Sequence, residues 1–160
     1  MKTKNRQLLA LSAALTLTLL VTVTSCKKDK DDNSKAMSAS VNNLSFEPAT
    51  VSGYTMFNDI YVTGLRVTSS DSSMLEFNFP DTCKVNTKYD FDDIEIYFND
   101  YKKQKYYGNW FSNAHGSFTL STFDKTNKKV AGNFSGVLFT WSNDKDSIVI
   151  KNGQFNTTYK

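Results

Sequence analysis

The chain has 160 residues, with 19 Lys and Arg, 16 Asp and Glu, one His and two Cys. Three of the positive charges and none of the acids fall in residues 1–25, so residues 26–160 carry 16 charges of each sign and present no net basic surface for nucleic acid. All twelve Phe, eight Tyr and both Trp lie beyond residue 36, which excludes disorder as the state of that segment.

At the N-terminus, Lys2, Lys4 and Arg6 form a positive start, and Leu8 to Val23 is an uncharged run of 16 residues. A membrane-spanning helix needs about 20 predominantly apolar residues. This run is shorter, diluted by threonine, and ends in small residues, as a secretory signal peptide does. Val23-Thr24-Ser25-Cys26 resembles the bacterial lipobox, in which a branched aliphatic and two small residues precede a cysteine that is lipidated and becomes the mature N-terminus. The resemblance implies that residues 1–25 are removed and that Cys26 carries acyl chains. One chain holds a protein with an association constant of only about 10⁴ M⁻¹, so two or three are needed for a stable anchor. A buried core cysteine is the alternative, but no core strand is followed by Lys27-Lys28-Asp29-Lys30-Asp31-Asp32.

Residues 26–36 therefore read as the lipidated cysteine and a charged, flexible tether with nothing to bury. Within it, Lys30-Asp31-Asp32 resembles the lysine-plus-acid signal that sends Bacteroidota lipoproteins to the cell surface, a few residues further from the cysteine than is usual. The expected location is the cell envelope, as an outer-membrane lipoprotein exposed at the surface. The expected partner is the membrane itself, reached through the N-terminal acyl chains.

Residues 37–160 are one domain by length. With Cys26 lipidated, Cys83 has neither a disulfide partner nor a second thiol for a metal, so stability must come from packing. In chain order, "MSASVNNLSFEPA" and "YTMFNDIYVTGLRVTSS" predict short strands broken by Asn-Asn, Asn-Asp and serine-rich turns. "SMLEFNFP" alternates Leu75, Phe77 and Phe79 against Glu76 and Asn78. "DDIEIYF" places Ile94, Ile96 and Phe98 on one face and Asp93, Glu95 and Tyr97 on the other. "GSFTLSTF", "KKVAGNFSGVLFTW" and "DSIVIKNGQFNTTY" predict a closing antiparallel meander joined through residues 124–129 and 142–146, with a kink at Asn152-Gly153. No run of ten residues has a helical period. The fold class is all-β: a single antiparallel β-sandwich, or a small barrel, behind a lipidated tether.

"MSASVNNLSFEP", "LEFNFP", "GSFTLSTFDKTNKKVAGNFSGVLF" and "SIVIKNGQFN" resemble the opening, middle strand, F-S-G strand and closing motif of a group of Bacteroidota surface lipoproteins of unknown function. The resemblance spans nearly all of residues 37–160, with Asn43 where glycine is commoner and Lys151 in the closing motif. It implies the fold and the address, and brings no activity.

No catalytic set stands out and no cofactor is implied. His115, the only histidine, sits in the polar loop "SNAHGS" with no nucleophile motif beside it, and Cys83 reads as a small semi-buried filler with an inert thiol. Asp90, Asp92, Asp93 and Glu95 lack the glycine and spacing of a calcium loop and read as a solvated face. The stretch "YFNDYKKQKYYGNW" is more informative. A strand buries alternate residues, so Tyr106 and Tyr107 cannot both face the core. Tyr97, Tyr101, Tyr107 and Trp110 are the candidate ligand-binding residues, suited to stacking on a sugar or anchoring an envelope protein; scattered surface tyrosines around a core Trp110 are the plainer alternative. Asp146-Ser147-Ile148 resembles a three-residue O-glycosylation site. The function expected is a non-enzymatic binding module on a lipid anchor. The alternative is a hydrolase acting on a glycan or envelope polymer.

Overall fold

The computed structural model describes residues 36–110, 113–140 and 143–160; the expected signal peptide, Cys26 and the tether to residue 35 lie outside them. The described residues contain eleven strands and no helix: β1 (Met37–Val41), β2 (Leu44–Phe46), β3 (Thr50–Met56), β4 (Asp59–Val67), β5 (Ser72–Pro80), β6 (Lys88–Asp90), β7 (Glu95–Asp100), β8 (Lys105–Gly108), β9 (His115–Asp124), β10 (Lys129–Thr140) and β11 (Asn143–Thr158). They make one curled sheet in the order β2-β1-β11-β10-β8-β7-β5-β4-β3, in which every strand pair is antiparallel. The all-β expectation holds, and the sheet takes the form of a half-barrel.

Strand length dictates the layout around β10. Its first part, Lys129 to Val137, pairs with β9, and its last residues, Phe139 and Thr140, pair with β8. The short strand β6 lies on the far side of β9. The expected meander of β9, β10 and β11 is present. The kink is present too: Asn152 has a φ of 52°, and the register of β11 slips there against both β10 and β1. Asn is one of the few residues that accept this left-handed conformation, which suits a bulge.

The early hairpins follow turn chemistry. Asn42 and Asn43, at φ 50° and 63°, make the two-residue turn from β1 to β2. The turn from β3 to β4 falls on Phe57-Asn58, at φ 52° and 71°, one residue earlier than the Asn-Asp break expected. β7 likewise begins at Glu95, so Asp93 lies in the preceding turn and not on the outer strand face, bonding back to Asp90.

The edge strand β3 meets the residues that follow β11 at Gly53. An isolated parallel bridge joins Gly53 to Tyr159, and the Thr55 N–H donates to the Lys160 carbonyl at 3.0 Å. A Cβ on Gly53 would stand 2.8 Å from the Thr158 carbonyl oxygen, so only glycine lets the two backbones approach this closely. Inside the curl, Phe77 of β5 meets the rings of Phe118, Phe134 and Phe155 from β9, β10 and β11, at centroid distances of 5.5, 5.3 and 4.7 Å. Cys83, expected to be semi-buried, belongs to the buried core, and burial pushes its thiol above the ordinary 9.0, which keeps it protonated.

Candidate functional site

β5 is covered on both faces. Its inner Leu75, Phe77 and Phe79 are core, and its outer Glu76 and Asn78 are buried as well. Register explains the outer burial. Glu76 lies between Thr63 of β4 and Tyr97 of β7, and Asn78 between Tyr61 and Glu95 of the same two strands. Only 8 % exposed, Glu76 has both carboxylate oxygens engaged: the Thr63 hydroxyl donates to Oε2 at 2.5 Å and the Tyr97 hydroxyl donates to Oε1. Asn78 donates from Nδ2 to Glu95 Oε2 at 3.0 Å.

Rings flank this polar strip on both sides. On β3 and β4, the two-residue turn at Phe57-Asn58 sets Tyr54 opposite Tyr61, and the rings stack at 4.8 Å with planes 8° apart. On the other side Tyr97 lies opposite Gly108 of β8. Gly108 has no side chain to fill that position, and the Trp110 ring folds back over its Cα. Asn109 fixes this fold-back: its Oδ1 accepts from the Ile96 N–H at 3.0 Å, and its Nδ2 donates to the carbonyls of Phe91 and Ile94. Trp110 then stacks on Tyr106 (5.3 Å, 15°) and on Tyr97 (5.9 Å, 23°), while Tyr97 and Tyr106 are 5.5 Å apart. Trp110 is 40 % exposed and Tyr106 36 %, so the platform stays open to solvent.

Of the four candidate residues, Tyr97 and Trp110 belong to this platform. Tyr101 is exposed in the β7–β8 turn and sits against Met74 Sδ, apart from it. Tyr107 is a correction. It is 5 % exposed and faces inward, because it pairs across from Phe98, a core residue; its neighbour Tyr106 takes the outward position instead. Sequence alternation demanded that one of the two point outward, but only the β7–β8 register says which. The same register would have pointed to Glu76 and Asn78, whose outward placement was already visible in "LEFNFP".

The strip is electrostatically negative. Burial first, and then the Glu76 charge, push the Tyr54 hydroxyl above its ordinary 10.0. Burial, Glu76 and Glu95 do the same to Tyr106. Both hydroxyls therefore remain neutral donors at physiological pH. Such a surface offers flat apolar rings beside the exposed Glu95 carboxylate.

No protein-family model, curated protein or solved structure matches the chain.

The other candidates are dispersed. His115 opens β9 as an exposed residue whose Nδ1 meets the Asn113 carbonyl oxygen at 2.9 Å. Among the described residues no three His, Cys, Asp or Glu side chains are grouped to hold a metal. Ser147 is half-buried in β11 opposite Phe139.

Proposed function

We propose that this chain is a lipid-anchored, non-enzymatic module at the cell surface that binds a neutral glycan across the Tyr97–Tyr106–Trp110 platform. The observation that supports it is the mutual stacking of three rings, two of them at least a third exposed, beside the exposed Glu95 carboxylate. A pyranose ring has an apolar face of C–H groups that rests on an indole or phenol, and an edge of hydroxyls that seeks an acceptor such as the exposed Glu95 carboxylate. The negative strip disfavours an acidic polysaccharide. Hydrolysis has less support: Glu76 is buried with both oxygens engaged, so a glycosidic bond has no approach to it.

The test is binding of the full chain, in detergent micelles, to an array of immobilised neutral glycans. A double substitution, Tyr106→Ala with Trp110→Ala, is expected to weaken binding at least about tenfold, or 1.4 kcal/mol, while the thermal midpoint stays close to wild type. Equal binding by the double variant, or no neutral glycan bound by wild type, overturns the reading.

The anchor rests on Val23 to Cys26 and on the charged stretch after it. Cys26→Ala is expected to abolish acyl labelling and leave an unprocessed precursor. Unchanged palmitate incorporation in that variant removes the anchor.

A further inference from the structure

The outward face of the sheet carries a second stack of rings beyond the Tyr97–Tyr106–Trp110 platform. Tyr54 of β3 and Tyr61 of β4 are directly opposite one another, with ring centres 4.8 Å apart and planes 8° from parallel. Register puts this pair on the same face as the platform. Tyr61 stands between the inward, buried Ile60 and Val62; it lies opposite Asn78 of β5, which lies opposite Glu95 of β7. Tyr97, two residues beyond Glu95 on one strand, shares that face. Tyr54 is 38 % exposed, nearly as open as Trp110.

The strand between the two stacks raises no barrier. Glu76 and Asn78, the β5 residues that separate them, are buried beneath their neighbours. Both stacks instead converge on Glu76. The Tyr97 hydroxyl donates to it, and after burial its charge is the next cause that raises the Tyr54 hydroxyl from one side and the Tyr106 hydroxyl from the other. Glu95 stays exposed there, held by Asn78 Nδ2 at 3.0 Å. The five rings thus form one band across β3, β4, β5, β7 and β8. The centres of the two stacks are three strand intervals apart, about 14 Å at the usual strand spacing. A pyranose is no broader than one stack, so a single sugar covers one and leaves the other bare.

We propose that Tyr54 and Tyr61 form a second subsite, so that this face binds an extended neutral oligosaccharide whose sugars rest on both stacks, with Glu95 accepting from a hydroxyl between them. This extends the glycan reading of the first platform and depends on it. Linking the sugars makes the second contact intramolecular, so affinity grows with chain length. Mutual stacking fixes the rings before a ligand arrives, so little side-chain freedom is lost on binding.

The test titrates the full chain, in detergent micelles, with cello-, malto- and manno-oligosaccharides, each as the disaccharide and the hexasaccharide, and with the hexasaccharide of galacturonate. In a series that binds, the hexasaccharide is expected to bind at least about tenfold more tightly than the disaccharide, and to move the ring resonances of Tyr54 and Tyr61 together with those of Tyr106 and Trp110. Tyr54→Thr with Tyr61→Thr, which keeps strand-forming residues, is expected to bring the hexasaccharide down to the disaccharide's affinity. Tyr106→Ala with Trp110→Ala is expected to weaken both lengths. Equal affinity for the two lengths, or Tyr54 and Tyr61 resonances unmoved by a bound hexasaccharide, overturns the second subsite and leaves the first platform standing. An unchanged hexasaccharide affinity in the folded Tyr54→Thr, Tyr61→Thr variant does the same; should that variant unfold, the wild-type resonances decide. Tighter binding of the galacturonate overturns the choice of a neutral chain. Binding of no member of any series overturns both subsites.

Discussion

Phe77→Ala is expected to destabilise the domain by about 3–5 kcal/mol, the range for deleting a fully buried phenylalanine. Phe77 is fully buried, and its ring touches those of Phe118, Phe134 and Phe155 as well as Phe79 on its own strand. The first three rings come from β9, β10 and β11, which face β5 across the curl. No single neighbour can refill that space without abandoning another contact, so the cavity should persist and the loss should sit at the upper end of the range. Urea unfolding is the measurement: the midpoint should fall with an unchanged slope. Phe57→Ala serves as the control. Phe57 is exposed at a hairpin tip, and its loss should change stability by less than about 0.5 kcal/mol. A similar midpoint for the two variants would refute the core as described.

The second large effect concerns a carboxylate. Replacing Thr63 by Val and Tyr97 by Phe together removes both donors to Glu76 while preserving shape. A hydrogen bond to a charged group contributes about 1.5–3 kcal/mol, and the two share one acceptor group, so about 3–5 kcal/mol is expected for the pair. The decisive comparison is a triple variant that adds Glu76→Leu. Removing the stranded charge along with its partners should restore most of the stability, since an apolar set of similar volume carries no desolvation penalty. If the triple variant is no more stable than the double, the loss comes from packing and not from the buried carboxylate.

The strands β5 and β7 were legible because their period is local. Leu75, Phe77 and Phe79 alternate with polar residues, as do Ile96 and Phe98, and every one of these five is buried where alternation puts it. What was not legible depends on partners distant in sequence. β6 has three residues and exists by pairing with β9. The inward choice of Tyr107 over Tyr106 depends on Phe98 across the ladder. The Phe57 turn breaks a local preference, since a phenylalanine at positive φ is uncommon, and that one-residue displacement is what brings Tyr54 onto Tyr61. Trp110 reaches the platform only through the empty position at Gly108 and the hold of Asn109, neither of which has a sequence signature of its own. The site was visible as a composition; its membership was set by register.

The clasp at Gly53 and the pairing of β1 with β11 also govern timing. Met37 pairs with Phe155, 118 positions later, and Gly53 with Tyr159, 106 positions later. Contacts this distant in sequence must be reached by diffusion of a long loop, which places such a chain among the slower folders, on the order of milliseconds to seconds. A chain made from its N-terminus presents β1, with the apolar side chains of Met37, Ala39 and Val41, well before β11 exists to cover them. Until then β1 has only β2 beside it, and its other edge is open to any strand that arrives first. Misassembly with a second copy is therefore the hazard that this topology must outrun.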